Sequence, residues 1–134
     1  MGALAHWTAI FMINTHHNHS SGLIFAAHLE HFDRDVIEAS HSVPILVDFW
    51  ADWCPPCRAL TPVLERVIAH YAGKVRMATV EVDEGHNMKL AGRYGLRGFP
   101  TVLLFVNGEI AGRFSSAKAE HWVREFITEH LDIE

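Results

Sequence analysis

Two cysteines, Cys54 and Cys57, stand three positions apart in a chain of 134 residues that holds no others. They closely follow the run Ile45-Leu46-Val47-Asp48-Phe49-Trp50, which is apolar but for one acid. A run so uniformly apolar cannot face water on either side, so it predicts a buried central strand. Beyond the cysteines, Leu60, Leu64, Val67, Ile68 and Tyr71 form one helical stripe that stops at Gly73. The dithiol therefore lies where a buried strand hands over to a helix, and its sulfurs can pair across the first turn. A structural staple gains stability by closing a long loop, and this pair closes almost none. The spacing points to a redox couple, with the making and breaking of the bond as the chemistry.

The rest of the chain alternates in the same way. Leu23 to Ala27 reads as a short strand, and Glu30 to Ala39 as a helix carrying Phe32, Val36 and Ile37. Val75 to Val82 predicts a further strand and Met88 to Tyr94 a short helix. Thr101 to Val106 and Ile110 to Phe114 flank Asn107-Gly108, a strong two-residue hairpin signal. A last helix presents Trp122, Val123, Phe126, Ile127 and Leu131 on one face. The order β-α-β-α-β-α-β-β-α places the chain in the α/β class, with a mixed five-stranded sheet flanked by four helices on both faces.

Size and composition set limits on function. The expected organisation is one domain over residues 23–134, preceded by a leader or tag-like extension over residues 1–22. Hydrophobic residues make up 49% and charged residues 20%, ordinary for a globular protein. A net charge of −5 leaves no electrostatic footprint for nucleic acid or an anionic membrane, and no apolar stretch is long enough to span a bilayer. Two cysteines exclude a disulfide scaffold and a four-thiolate metal site. A dithiol kept for chemistry suits a reducing compartment, so the expected location is cytoplasmic. In the leader, Leu4 to Ile13 is mostly apolar, but the first basic residue is Arg34, which argues against an export signal or a transit peptide. Thr15 to Gly22 has the composition of a degraded affinity tag or a natural extension. Its His16, His17 and His19 are expected to give incidental metal affinity only.

The segments Val47-Asp48-Phe49-Trp50-Ala51-Asp52-Trp53-Cys54, Tyr94-Gly95-Leu96-Arg97-Gly98-Phe99-Pro100-Thr101 and Phe105-Val106-Asn107-Gly108-Glu109 closely resemble the thioredoxin family. With the element order, the resemblance covers about Leu23 to Leu131. It implies a thioredoxin fold and a protein-disulfide reductase. Cys54 would be the nucleophile that forms a mixed disulfide with a client protein, Cys57 the resolving thiol, and Asp48 a buried acid relaying the proton of Cys57. Trp53, Pro56, Phe99, a cis Pro100 and Ser116 would form the client-binding surface. No cofactor or metal would be bound, and reducing equivalents would come from NADPH through thioredoxin reductase. The partners implied are disulfide-bearing clients and that reductase, with the protein itself a monomer.

Three residues depart from the family's usual pattern. Pro55 stands where the family usually has glycine, which leaves Cys57 and Arg58 as the nearest backbone donors to the Cys54 sulfur. Thr79 replaces a frequent lysine near the buried acid, and its hydroxyl could bond that carboxyl. Ser116 replaces a glycine beside the client groove and also reads as the N-cap of the last helix. Rival functions are a disulfide oxidase or isomerase, or a non-catalytic binding or chaperone module on the same fold. The histidines of the body, His28, His31, His41, His70, His86, His121 and His130, are expected to face solvent.

Overall fold

The apolar run forms strand β2, Ile45–Trp50, with its first five residues buried. It lies in the middle of a five-stranded sheet whose other members are β1 (Ile24–Ala26), β3 (Arg76–Glu81), β4 (Thr101–Val106) and β5 (Glu109–Ser115). The structure is a computed structural model that describes residues 22–132. The leader histidines lie outside the described residues, as does nearly all of the proposed leader. In the sheet order β1-β3-β2-β4-β5, β2 runs parallel to β3 and antiparallel to β4. β1 joins β3 in parallel, and β5 joins β4 as the hairpin expected from Asn107-Gly108. Both turn residues have positive φ, 53° and 82°. Gly108 has a second constraint, because a Cβ there would stand 2.8 Å from the His41 ring.

Four helical segments cover the sheet: the irregular α1 between Leu29 and His41, α2 (Pro55–Tyr71), α3 (Met88–Arg93) and α4 (Glu120–Leu131). Strand alternation sorts β2 between two cores. Val47 and Phe49 join Phe32 and Val36 of α1 and Leu90 of α3 on one face. Leu46 joins Leu60, Leu64, Val67 and Ile68 of α2 and Val123 and Ile127 of α4 on the other. The dithiol belongs to the first of these clusters.

Four local expectations are corrected. α1 is a 3-10 turn (Leu29–His31), a π-helical stretch (Asp33–Glu38) and a second 3-10 turn (Ala39–His41), rather than one regular helix. Tertiary bonds hold both its ends. The Leu29 N–H donates to Asn87 Oδ1, while the Ser40 hydroxyl donates to the Ile37 carbonyl and accepts from the Gly108 N–H. The segment between these tethers adjusts its winding to reach both. At the end of α2 the left-handed position is taken by Ala72, φ 50°, one residue before the expected glycine stop. Trp122 is 37% exposed and stacks over Phe126 at the rim of the core, where Val123 and Ile127 are fully buried. Ser116 does not cap α4, which starts four residues later behind Ala119. Of the body histidines, His28 is half-buried and the other six are exposed.

Candidate active site

The two prolines are compatible with the first turn of α2 because the N–H groups they lack have no partner inside a helix. Cys54 is the N-cap of this helix, in an extended conformation, and its Sγ accepts the Cys57 N–H at 3.2 Å. That single N–H and the positive end of the helix dipole favour a thiolate there. The two sulfurs form a disulfide, with the Cα atoms 5.3 Å apart. The pair is largely shielded, Cys54 retaining 3% exposure and Cys57 none. Arg58 does not add a donor to the sulfur, because its N–H bonds the Cys54 carbonyl at 3.2 Å. The double proline thus leaves Cys57 as the backbone donor on the Cys54 sulfur.

The Phe99-Pro100 loop faces the disulfide. Its peptide bond is cis, as the resemblance implied, and the Phe99 carbonyl oxygen stands 3.5 Å from Cys54 Sγ. The Thr101 hydroxyl donates to the Gly98 carbonyl at 2.6 Å, and the Ser116 N–H donates to the Pro100 carbonyl at 3.1 Å. Trp53 is 63% exposed and packs edge-on against the Phe99 ring, with centroids 6.4 Å apart. Pro56 is exposed beside the dithiol, whereas Pro100 is buried. The loop, the dithiol, Trp53 and Ser116 are thus joined by direct contacts.

Asp48 is on the α2–α4 side of β2, in register with Thr79 on β3 and Val102 on β4. Its Oδ1 is enclosed without a hydrogen-bond partner among the described residues. The Thr79 hydroxyl therefore does not relieve it, contrary to one expectation. Burial alone raises its pKa to about 7, because the charged form loses water and gains no donor in return.

Sequence reasoning missed two residues around the site. Asp83 accepts the Trp53 indole N–H at 2.6 Å and so orients the exposed ring. Asn87 is 99% shielded, with 1% exposure, and its side chain bonds the Leu29 N–H and the Glu81 carbonyl. The partners of both are remote in sequence or buried by folding, so no local spacing marks them. A cleft of about 760 Å³ between α2 and α4, lined in part by His70, Glu120 and Arg124, lies at the opposite end of α2. At 1.5 Å per residue it is roughly 24 Å from Cys54 and shares no residue with the dithiol site. Among the described residues no group of three His, Cys, Asp or Glu side chains is placed to hold a metal ion, and no helix is long and apolar enough to cross a membrane.

A family model described as thioredoxin matches residues 24–129. A thioredoxin from Chlorobaculum thiosulfatiphilum is 36% identical over 83% of this chain and 99% of its own length. One from Haemophilus influenzae is 34% identical over 78% of this chain and 95% of its own. Thioredoxin C-2 of Corynebacterium nephridii is 38% identical over 76% of this chain and 91% of its own. With this dithiol at a helix N-terminus, beside a cis-proline loop and on this mixed sheet, the chain belongs to the thioredoxin family of thiol–disulfide oxidoreductases.

Proposed function

We propose that the protein reduces disulfides in client proteins, with Cys54 as nucleophile and Cys57 as resolving thiol. The observation that carries this reading is the position of Cys54, whose sulfur caps α2 and accepts the Cys57 N–H. In the reduced protein the Cys54 thiolate attacks one client sulfur, forming a mixed disulfide and expelling the other sulfur as a thiolate. Cys57, on losing its proton, attacks Cys54 Sγ and displaces the client thiol. The client gains two electrons and the protein returns to the Cys54–Cys57 disulfide. With a pKa near 7, Asp48 is suited to accept the Cys57 proton at neutral pH. Trp53, Pro56, Phe99, Pro100 and Ser116 supply the client-binding surface, and exposed apolar and backbone groups of this kind suit an extended protein segment.

The further reading is a monomeric cytoplasmic protein recharged by NADPH through thioredoxin reductase, with no resident cofactor. Its support is the family and a dithiol that, once oxidised, needs two electrons from an outside donor to be reduced again. The test is reduction of a disulfide-bonded protein using NADPH and thioredoxin reductase as the electron source. Native protein turns over. Cys54→Ser abolishes turnover, and Cys57→Ser accumulates a covalent client adduct that dithiothreitol releases. Equilibration against glutathione and dithiothreitol buffers should give a potential near the thioredoxin value of about −270 mV. A value near about −120 mV would instead indicate an oxidase or isomerase.

A further inference from the structure

Asp83, which accepts the Trp53 indole N–H, lies on the turn that carries β3 into α3. Between buried Val82 and buried Leu90 every residue of this turn is exposed except Asn87. A turn that buries one side chain takes its position from that side chain, and here it is a polar one with its bonds made. The Asn87 side-chain amide donates to the Glu81 carbonyl at 3.0 Å, tying the end of the turn to its start. Its Oδ1 accepts the Leu29 N–H at 2.9 Å, which fastens the closed turn to α1. The backbone bonds inside the turn run from the Glu84 N–H to the Glu81 carbonyl and from the Asn87 N–H to the Glu84 carbonyl. Each closes only half of it. Exposed Asp83 sits within the span that the Asn87 amide closes.

We infer that Asn87 is a positioning residue for the indole beside the dithiol, acting through the Glu81–Asn87 turn and the Asp83 carboxylate. Its effect on clients rests on the reductase reading above. An exposed carboxylate on an open turn samples many positions, and bringing it back under the indole costs entropy. The closed turn removes that freedom in advance and keeps the 2.6 Å bond to Trp53 in place. The ring is thereby held edge-on to Phe99 before a client arrives.

The test uses the full chain with Asn87→Ala, Asn87→Asp, Asp83→Ala, and Asp83→Ala combined with Asn87→Ala. Asn87→Asp keeps an acceptor for the Leu29 N–H but puts no donor on the Glu81 carbonyl, so it separates turn closure from the anchor of α1. In the oxidised protein the Trp53 indole N–H gives a proton resonance identified by its loss in Trp53→Phe. Both Asn87 variants should shift it towards its position in Asp83→Ala. In the pre-reduced protein, both should need roughly fivefold more of a disulfide-bonded protein for half-maximal rate of its reduction, with the maximal rate unchanged. Asp83→Ala should raise the half-saturating concentration similarly. The double variant should show no more than Asp83→Ala alone, because the two residues act in series. Native indole resonance and half-saturation in both Asn87 variants overturn the inference and leave the reductase reading intact. So does a double variant whose effect is the product of the two single ones. Failure of native protein to reduce the client overturns the reductase reading, while the indole resonance still decides the role of Asn87.

Discussion

At the scale of single residues, Asp48 has the clearest energetic signature. Its carboxyl is 98% shielded, with 2% exposure, and Oδ1 has no donor among the described residues, so the fold favours the protonated form. The unfolded chain ionises near pH 4 and the folded one near pH 7. Between these values the folded state binds the extra proton, so stability falls as pH rises through the window and levels off above it. Asp48→Asn removes the titration. At pH 8 it should be more stable than the native protein by up to about 4 kcal/mol, and below pH 4 the two should coincide. Denaturant midpoints across this range check both the sign and the window. The acid was legible in the sequence because a lone charge inside an apolar strand is anomalous wherever the strand sits. Asp83 was not, since it acquires its role from an indole 30 positions away.

Individual elements depend on how their ends are held. α2 stops at Ala72 in a left-handed conformation, φ 50°, where glycine carries no Cβ penalty. Ala72→Gly should therefore stabilise the protein by about 1 kcal/mol, seen as a higher thermal midpoint with unchanged redox activity. The start of α1 hangs on Asn87, which bridges the Leu29 N–H and the Glu81 carbonyl. Asn87→Ala leaves the part-buried Leu29 N–H without its partner, while the Glu81 carbonyl keeps the Glu84 N–H, and should cost about 1–2 kcal/mol. Local hydrogen exchange should rise first around residues 28–32, ahead of the central strands. Periodicity placed α1 but not its winding. That winding answers to Asn87 and to the hairpin contact at Gly108, neither of which belongs to the helix's own sequence.

For the whole molecule, the redox bond is a small part of the stability. The Cys54–Cys57 disulfide closes a four-residue loop beside two large cores. Chain-entropy arguments give a loop that short about 2 kcal/mol. Urea unfolding of oxidised and reduced protein should therefore show one cooperative transition in each state, displaced by about that amount, with the oxidised form the more stable. A much larger displacement would mean that reduction loosens the packing around fully buried Cys57. The fold supports a centre that cycles because both cores remain when the bond opens.

By itself the sequence determined the β2–dithiol–α2 junction, the hairpin, the alternating order of strands and helices, and the nature of the chemistry. Each of these depends on interactions within a few residues or on a face periodicity visible along the chain. Only the tertiary structure decided that Thr79, brought into register across the sheet, leaves Asp48 Oδ1 unpaired. It alone revealed the indole clamp of Asp83 and the left-handed backbone of Ser116 beside Pro100. These features depend on which groups from distant segments arrive at the same point, and on the backbone angles needed to bring them there.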